Sequence, residues 1–357
     1  MDKIEKAKNK RIYSFDVMRI MAVCAVIMIH TSAAFVTSRD NATAFLWGNF
    51  FNSISRFAVP MFLMMSGALM LNEDKEISTR KILKSAWNFF VLLVIWSVIY
   101  SAGYNIIKPI VFHEPISITT IIKTAFHGHY HLWYLFVLIG LYILTPILRL
   151  FIKRENAKLI RNYLLFFVII GFCVPFVNEL VNLFTPHDDV ITEYISNFRF
   201  DYIFEYLIYY ILGWYITSVA IEKKTRIFLY IGGMLGVVMT FTGAQMFWEN
   251  GQNSSGYFYS NASLNIFLYG VAGFTFIYYF FKSKELKANK FILKLSNLTF
   301  GVYLIHCIFL FAFRIICGRF ASPIIAMSAA LIGTAIVSFI SVYLISKIPI
   351  LKKSIRG

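Results

Sequence analysis

Three ionisable side chains, Asp16, Arg19 and His30, lie inside the first long apolar stretch of the chain, Ile12 to Val36. A charged group inside a membrane span costs on the order of 2.5–3.5 kcal/mol even on lenient insertion scales, so each needs a partner or a purpose. On a helix turning about 100° per residue, the eleven steps from Arg19 to His30 return to within about 20° of one direction, and the fourteen from Asp16 to within about 40°. One stripe therefore holds all three, with Arg19 and His30 about 16 Å apart along the axis. A histidine of near-neutral pKa can take a proton as a general base or carry a group as a nucleophile. An arginine can meet an anion such as a phosphate, and Asp16, three residues earlier, is spaced to position it. The plain alternatives use the same residues: an Asp16–Arg19 pair that only neutralises itself, and a histidine hydrogen-bonded between helices.

Other chemistry-bearing residues lie further along. Arg56 falls near the middle of the second apolar segment and Ser66 nearer its basic end. Arg56 suits a developing oxyanion, or else pairs with Asp201 or Glu205. Asp201 and Glu205 belong to a polar run with Tyr206, Tyr209 and Tyr210, suited to sugar hydroxyls or to an interfacial girdle. Tyr303 and His306 are three apart on one face. The alternating His127, His129 and His131 could point together at a metal from an extended segment. No carboxylate or cysteine lies beside them, and Trp133 and Tyr134 follow as interfacial aromatics, so no metal is expected. The four cysteines fall within apolar segments without CxxC spacing, which argues against metal binding or a disulfide framework.

The elements that must position these groups are membrane helices. The chain is 59% hydrophobic and 18% aromatic with a mean hydropathy of +0.67, and its apolar stretches repeatedly reach spanning length. An all-α polytopic membrane protein is expected, with ten spans near 13–37, 45–71, 85–107, 131–150, 160–182, 202–220, 227–248, 263–281, 297–317 and 322–346. The net charge of +16 does not indicate nucleic acid, because the lysines and arginines alternate by loop, 26 on one side against five on the other. That asymmetry places both termini in the cytoplasm and requires an even span count. The first segment lacks a small-residue cleavage site, so it is expected to stay. Three outer loops, 108–130, 183–201 and 249–262, are polar and aromatic-rich, and no loop is long enough for a soluble domain. Residues 1–357 are read as a single membrane domain.

Four short motifs then fall in order. Ser14-Phe15-Asp16-Val17-Met18-Arg19, with His30 following Arg19 by an x10 gap, is the first. Arg56-Phe57-Ala58-Val59-Pro60-Met61-Phe62-Leu63-Met64-Met65-Ser66-Gly67 is the second, His131-Leu132-Trp133-Tyr134-Leu135 the third and Phe300-Gly301-Val302-Tyr303-Leu304-Ile305-His306 the fourth. Together they resemble the acyltransferase-3 family of membrane acyltransferases, the bacterial O-acetyltransferases of cell-surface glycans. The second motif is similar to the branch typified by an enterobacterial common-antigen O-acetyltransferase. The resemblance implies acyl transfer, most simply acetyl, from a cytosolic acyl-CoA to a hydroxyl of a glycan or lipid-linked saccharide, in the plasma membrane of a bacterium. It makes His30 base or acyl carrier, with Asp16 and Arg19 beside it. Arg80, Lys81, Lys84 and Arg56 would bind the donor, and Ser66, His131, Trp133, Asp201, Glu205, Tyr303 and His306 would line the acceptor pocket. Many members carry an arginine pair where this chain has Lys81 and Lys84, and lysine supplies charge to a phosphate without the bidentate fork. No permanently bound cofactor is expected. The competing class is a carrier or flippase of a lipid-linked sugar or small solute, which also needs buried charges; it would be favoured by inverted repeats and paired broken helices.

Overall fold

A computed structural model describes residues 11–38, 41–112, 118–184, 193–194, 197–198, 203–249, 251, 256–284, 288–318, 320–349 and 351–355. The described residues are helical, with no strand among them. In chain order the helices are α1 (Tyr13–Val36), α2 (Ala42–Ser55), α3 (Ala58–Met70), α4 (Thr79–Phe112), α5 (Ile118–His127), α6 (Trp133–Phe151), α7 (Ala157–Val168), α8 (Val174–Phe184), α9 (Ile208–Ser218), α10 (Lys223–Glu249), α11 (Leu264–Lys284), α12 (Lys290–Ser296), α13 (Thr299–Cys317) and α14 (Pro323–Ile345). Nine stretches among the described residues are long and apolar enough to cross a membrane. The expected sixth span is present in shortened form, as a five-residue π turn, Ile203–Leu207, running directly into the eleven-residue α9. The chain is an all-α polytopic membrane protein.

Helix ends follow local chemistry. Asn41 caps α2 by accepting from the Ala44 N–H, Asn289 caps α12 through the Phe291 N–H, and Pro323 opens α14 where its missing N–H costs nothing. The expected second span is not continuous. It breaks between α2 and α3 at Arg56 and Phe57, because Pro60 has no N–H to return to the Arg56 carbonyl. A π segment at Ile169–Cys173 likewise precedes Pro175 in the fifth span. Two expectations about the outer loop 108–130 change: α4 runs to Phe112, and α5 is a helix laid against α4 rather than irregular chain.

The hub of the bundle is α1, which packs against α2, α3, α11, α12, α13 and α14. At one end of it Arg11 donates to the Leu293 carbonyl and to Asn297 Oδ1, just before α13. The C-terminal turn Leu351–Ile355 packs at the start of the same helix, where Ile355 approaches Gly301. The two described ends of the chain thus meet one end of the bundle, as an even number of crossings requires.

Lipid offers no hydrophobic drive between helices, so close backbone contact and hydrogen bonds must hold them. The α3–α9 pair does this reciprocally. A Cβ on Gly67 would lie 1.7 Å from the Tyr210 carbonyl oxygen, and one on Gly213 would lie 1.9 Å from that of Met64. Around this contact Tyr209, Tyr210 and Trp214 are fully buried, and the Tyr210 hydroxyl is 2.8 Å from that of Thr145 on α6. Neither backbone can yield without the other, so Gly67→Ala is expected to cost about 1–3 kcal/mol or more and to lower the melting temperature in detergent. Gly103→Ala, where nothing lies within 4 Å, is expected to leave it unchanged.

Candidate active site

Helices α1, α3, α4, α6 and α13, with Arg56 at the break between α2 and α3, enclose a cavity of about 280 Å³. It is lined at one extreme of α1 by Arg19, with Phe89, Tyr142, Thr299 and Phe300, and at the other by His30, with Arg56, His131, Trp133 and Asn261. Ser66, Tyr134 and Tyr303 complete its polar wall, and Val26, Ile29, Val59, Phe62 and Leu138 its apolar one. Because Arg19 and His30 both face it, the cavity extends about 16 Å along α1. Seven residues singled out in the sequence share this space: Arg19, His30, Arg56, Ser66, His131, Trp133 and Tyr303.

His30 is held by rings. The edge of Tyr130 meets it at 5.1 Å between centroids, and His306 stacks on it at 5.4 Å. Among the described residues neither nitrogen of its imidazole is hydrogen-bonded, so a lone pair is available to the cavity. Its backbone carbonyl accepts from the Arg314 guanidinium, which ties α1 to α13. Arg314 is a further ionisable residue inside an apolar span; the rule that exposed Asp16, Arg19 and His30 would have found it too.

Arg56 sits at the break between α2 and α3. Its Nε donates to Asn52 Oδ1 at 2.6 Å, its Nη1 donates to the Tyr259 carbonyl at 2.9 Å, and the guanidinium lies over the Tyr259 ring at 4.6 Å. Asn52 is fixed in turn by donating to Ser32 Oγ at 2.9 Å. The alternative of an ion pair with Glu205 is corrected: Glu205 lies in the π turn, is not among the residues lining the cavity, and the Arg56 guanidinium bonds Asn52 and the Tyr259 carbonyl instead; Asp201 falls outside the described residues. Neutral oxygens satisfy Arg56 on two sides, and no carboxylate among the described residues pairs with it. Nothing in the sequence marks Asn52 or Tyr259 for this, because their approach depends on the break.

Asp16 is fully buried and does not reach the cavity. Arg11 grips it with a fork, Nε at 2.8 Å and Nη2 at 2.6 Å, and Ser296 donates to it at 2.6 Å. The expected contact with Arg19 is present at 3.3 Å, the longest of the four. Asp16 therefore staples α1 to the turn before α13 at least as much as it orients Arg19.

His131 is buried, with Nδ1 2.7 Å from His129 Nδ1, Nε2 3.3 Å from the Leu304 carbonyl, and its own carbonyl accepting from the Tyr303 hydroxyl at 2.7 Å. His306 stands behind His30 rather than in the cavity wall; its Nδ1 is 2.7 Å from the Tyr303 carbonyl and its Nε2 3.3 Å from Cys307 Sγ. His127, at the end of α5, is exposed and bonds the Lys123 carbonyl.

The basic trio Arg80, Lys81 and Lys84 is exposed at the start of α4 and does not line the cavity. The connection leading into it is nonetheless fixed. Arg149 donates to the carbonyls of Met70, Asn72 and Lys75, and the Arg154 guanidinium, 2.5 Å from Asp74, holds that carboxyl below the usual carboxylate range.

Residues 12–343 match a protein-family model described as an acyltransferase domain. No curated protein and no solved structure matches the chain.

Proposed function

The chain belongs to this acyltransferase family, and we propose that it moves an acyl group, acetyl in the simplest case, from a cytosolic acyl-CoA to a hydroxyl of a glycan or lipid-linked saccharide. One observation carries this reading. Arg19 and His30 occupy opposite extremes of a single cavity, with Arg56 facing the same space near His30. The basic-loop asymmetry supports a cytoplasmic position for the Arg19 end. The nucleotide head of the donor rests on that face, on the exposed Arg80, Lys81 and Lys84, while Arg19 meets the inner phosphates. A thin pantetheine arm follows the cavity to His30.

In the transfer, His30 accepts the proton of the attacking hydroxyl as its oxygen bonds to the thioester carbon. Arg56 stabilises the negative charge that gathers on the carbonyl oxygen. The C–S bond then breaks, the thiolate of CoA takes the proton from His30, and the ester leaves with the acceptor. Trp133 and Tyr134 offer flat apolar faces of the kind that sugar rings stack on. The second motif, Arg56 to Gly67, supports placement in the common-antigen-like branch, and the four ordered motifs support a bacterial plasma membrane.

Purified full-length protein in liposomes, given labelled acetyl-CoA and saccharide acceptors, is expected to release free CoA and to label the acceptor. If no thioester turns over with acetyl- or succinyl-CoA while the liposomes move a sugar or other solute, the chain is a carrier and the reading fails.

A further inference from the structure

Behind the cavity wall, three metal-type ligands come together from two distant parts of the chain. His129 and His131 flank the turn between α5 and α6, and Cys307 lies on α13; one ligand atom from each falls within 4.8 Å of the others. The sequence shows only the histidines, and the missing soft ligand comes from the helix that packs against them. We propose that His129, His131 and Cys307 form a site for a borderline-soft divalent cation, zinc by its chemistry, that clamps the His131 wall of the cavity to α13.

The hydrogen bonds around the cluster orient the donors. The Leu304 carbonyl can only accept, so the nearby His131 Nε2 carries the proton and Nδ1 presents a lone pair. Ligating imidazoles generally donate their other nitrogen to a carbonyl or carboxylate in this way. His129 Nδ1, 2.7 Å from that lone pair, donates to it in the absence of metal. The Cys307 Sγ lies 3.3 Å from His306 Nε2, itself left as an acceptor because His306 Nδ1 donates to Tyr303. Tyr130 places its hydroxyl 3.4 Å from the same sulfur.

Zinc takes nitrogen at about 2.0–2.1 Å and thiolate sulfur at about 2.3 Å, which sets ligand atoms roughly 3.3–3.6 Å apart in a tetrahedron. The histidine nitrogens must open slightly and the sulfur close slightly to reach that spacing. Binding releases one proton from the Cys307 thiol and moves that of His129 from Nδ1 to Nε2. Nitrogen and thiolate donors without a carboxylate select zinc over magnesium or calcium. A second cavity of about 200 Å³, lined by Tyr100, His129, Cys307 and Phe311, supplies an access route. The clamp is structural: His131 lines the large cavity and α13 carries Tyr303, so fixing one to the other sets the width of the site.

The test is independent of any transferase activity. Full-length protein purified without a histidine tag, stripped with chelator and reloaded with zinc chloride, is expected to retain about one zinc per chain by elemental analysis. Loading with cobalt chloride is expected to give a thiolate-to-cobalt charge-transfer band. Cys307→Ser and His129→Gln are each expected to weaken zinc binding about tenfold or more, and Cys307→Ser to remove the cobalt band. In the unmutated protein, zinc is expected to protect Cys307 from alkylation, read by peptide mapping. Zinc lost entirely on desalting, variants that hold as much zinc as the original, or Cys307 alkylated equally with and without zinc would each overturn the site.

Discussion

Replacing His30 with alanine is expected to lower acyl-CoA turnover by about two to four orders of magnitude, the contribution typical of a positioned acid–base group. The loss should fall on kcat with KM for the donor nearly unchanged. In the proposed arrangement the phosphates rest at the Arg19 end, about 16 Å from His30, so the substitution acts at the reacting end and not at the anchoring one. Stability should hold, because no hydrogen bond to the imidazole is lost, only ring contacts with Tyr130 and His306. The same variant separates two roles. A base leaves no trace on the protein, whereas a carrier becomes labelled by acetyl-CoA before acceptor is added. Rapid quenching of the unmutated protein is expected to show no acyl-imidazole, and stoichiometric label that vanishes with His30→Ala would reassign the residue as nucleophile. If His30→Ala turns over within threefold of the original protein, the histidine is a packing residue and the proposed chemistry fails.

The stripe on α1 was legible because helical periodicity is a local property. Eleven residues bring Arg19 and His30 onto one face whatever surrounds them, and the cavity lies along that face. Nine of the ten expected spans were legible for the same reason, since hydropathy needs no partner, while the sixth is too short among the described residues to count as a crossing by itself. What the sequence concealed depends on contacts between remote segments. Arg56 read as a group for a developing oxyanion or else the partner of a carboxylate, and what stayed hidden is that the break at Pro60 turns it towards Asn52 and the Tyr259 carbonyl. Asp16 read as the partner of Arg19, yet Arg11, in a stretch counted only as topological charge, holds it more tightly. The alternating His127, His129 and His131 read as a cluster without a metal because no cysteine or carboxylate lies beside them, and Cys307 is invisible from their neighbourhood. The exposed trio at the start of α4 is the opposite case. Its charges were easy to see, and the fold leaves them exposed and outside the cavity lining.

Arg56 decides whether the cavity is built for a developing negative charge. Loss of a preorganised oxyanion donor costs about 10²–10³ in kcat, and Arg56→Ala is expected to fall in that range. The alanine variant also strands Asn52 Oδ1 and the Tyr259 carbonyl in a buried place, at about 1–3 kcal/mol for each unsatisfied group, so its melting temperature should drop as well. Arg56→Lys distinguishes the two effects. One ammonium retains the positive charge and can satisfy one of the two oxygens, but it cannot donate to both while still facing the substrate. Lysine should therefore recover part of the lost stability and little of the lost rate. A purely structural arginine would behave differently, with rate and stability recovering together as charge and one hydrogen bond return. Measured as kcat beside the melting temperature, Arg56→Lys that restores full turnover would remove Arg56 from the reacting centre and leave it as the pin that holds the broken helix to the Tyr259 turn.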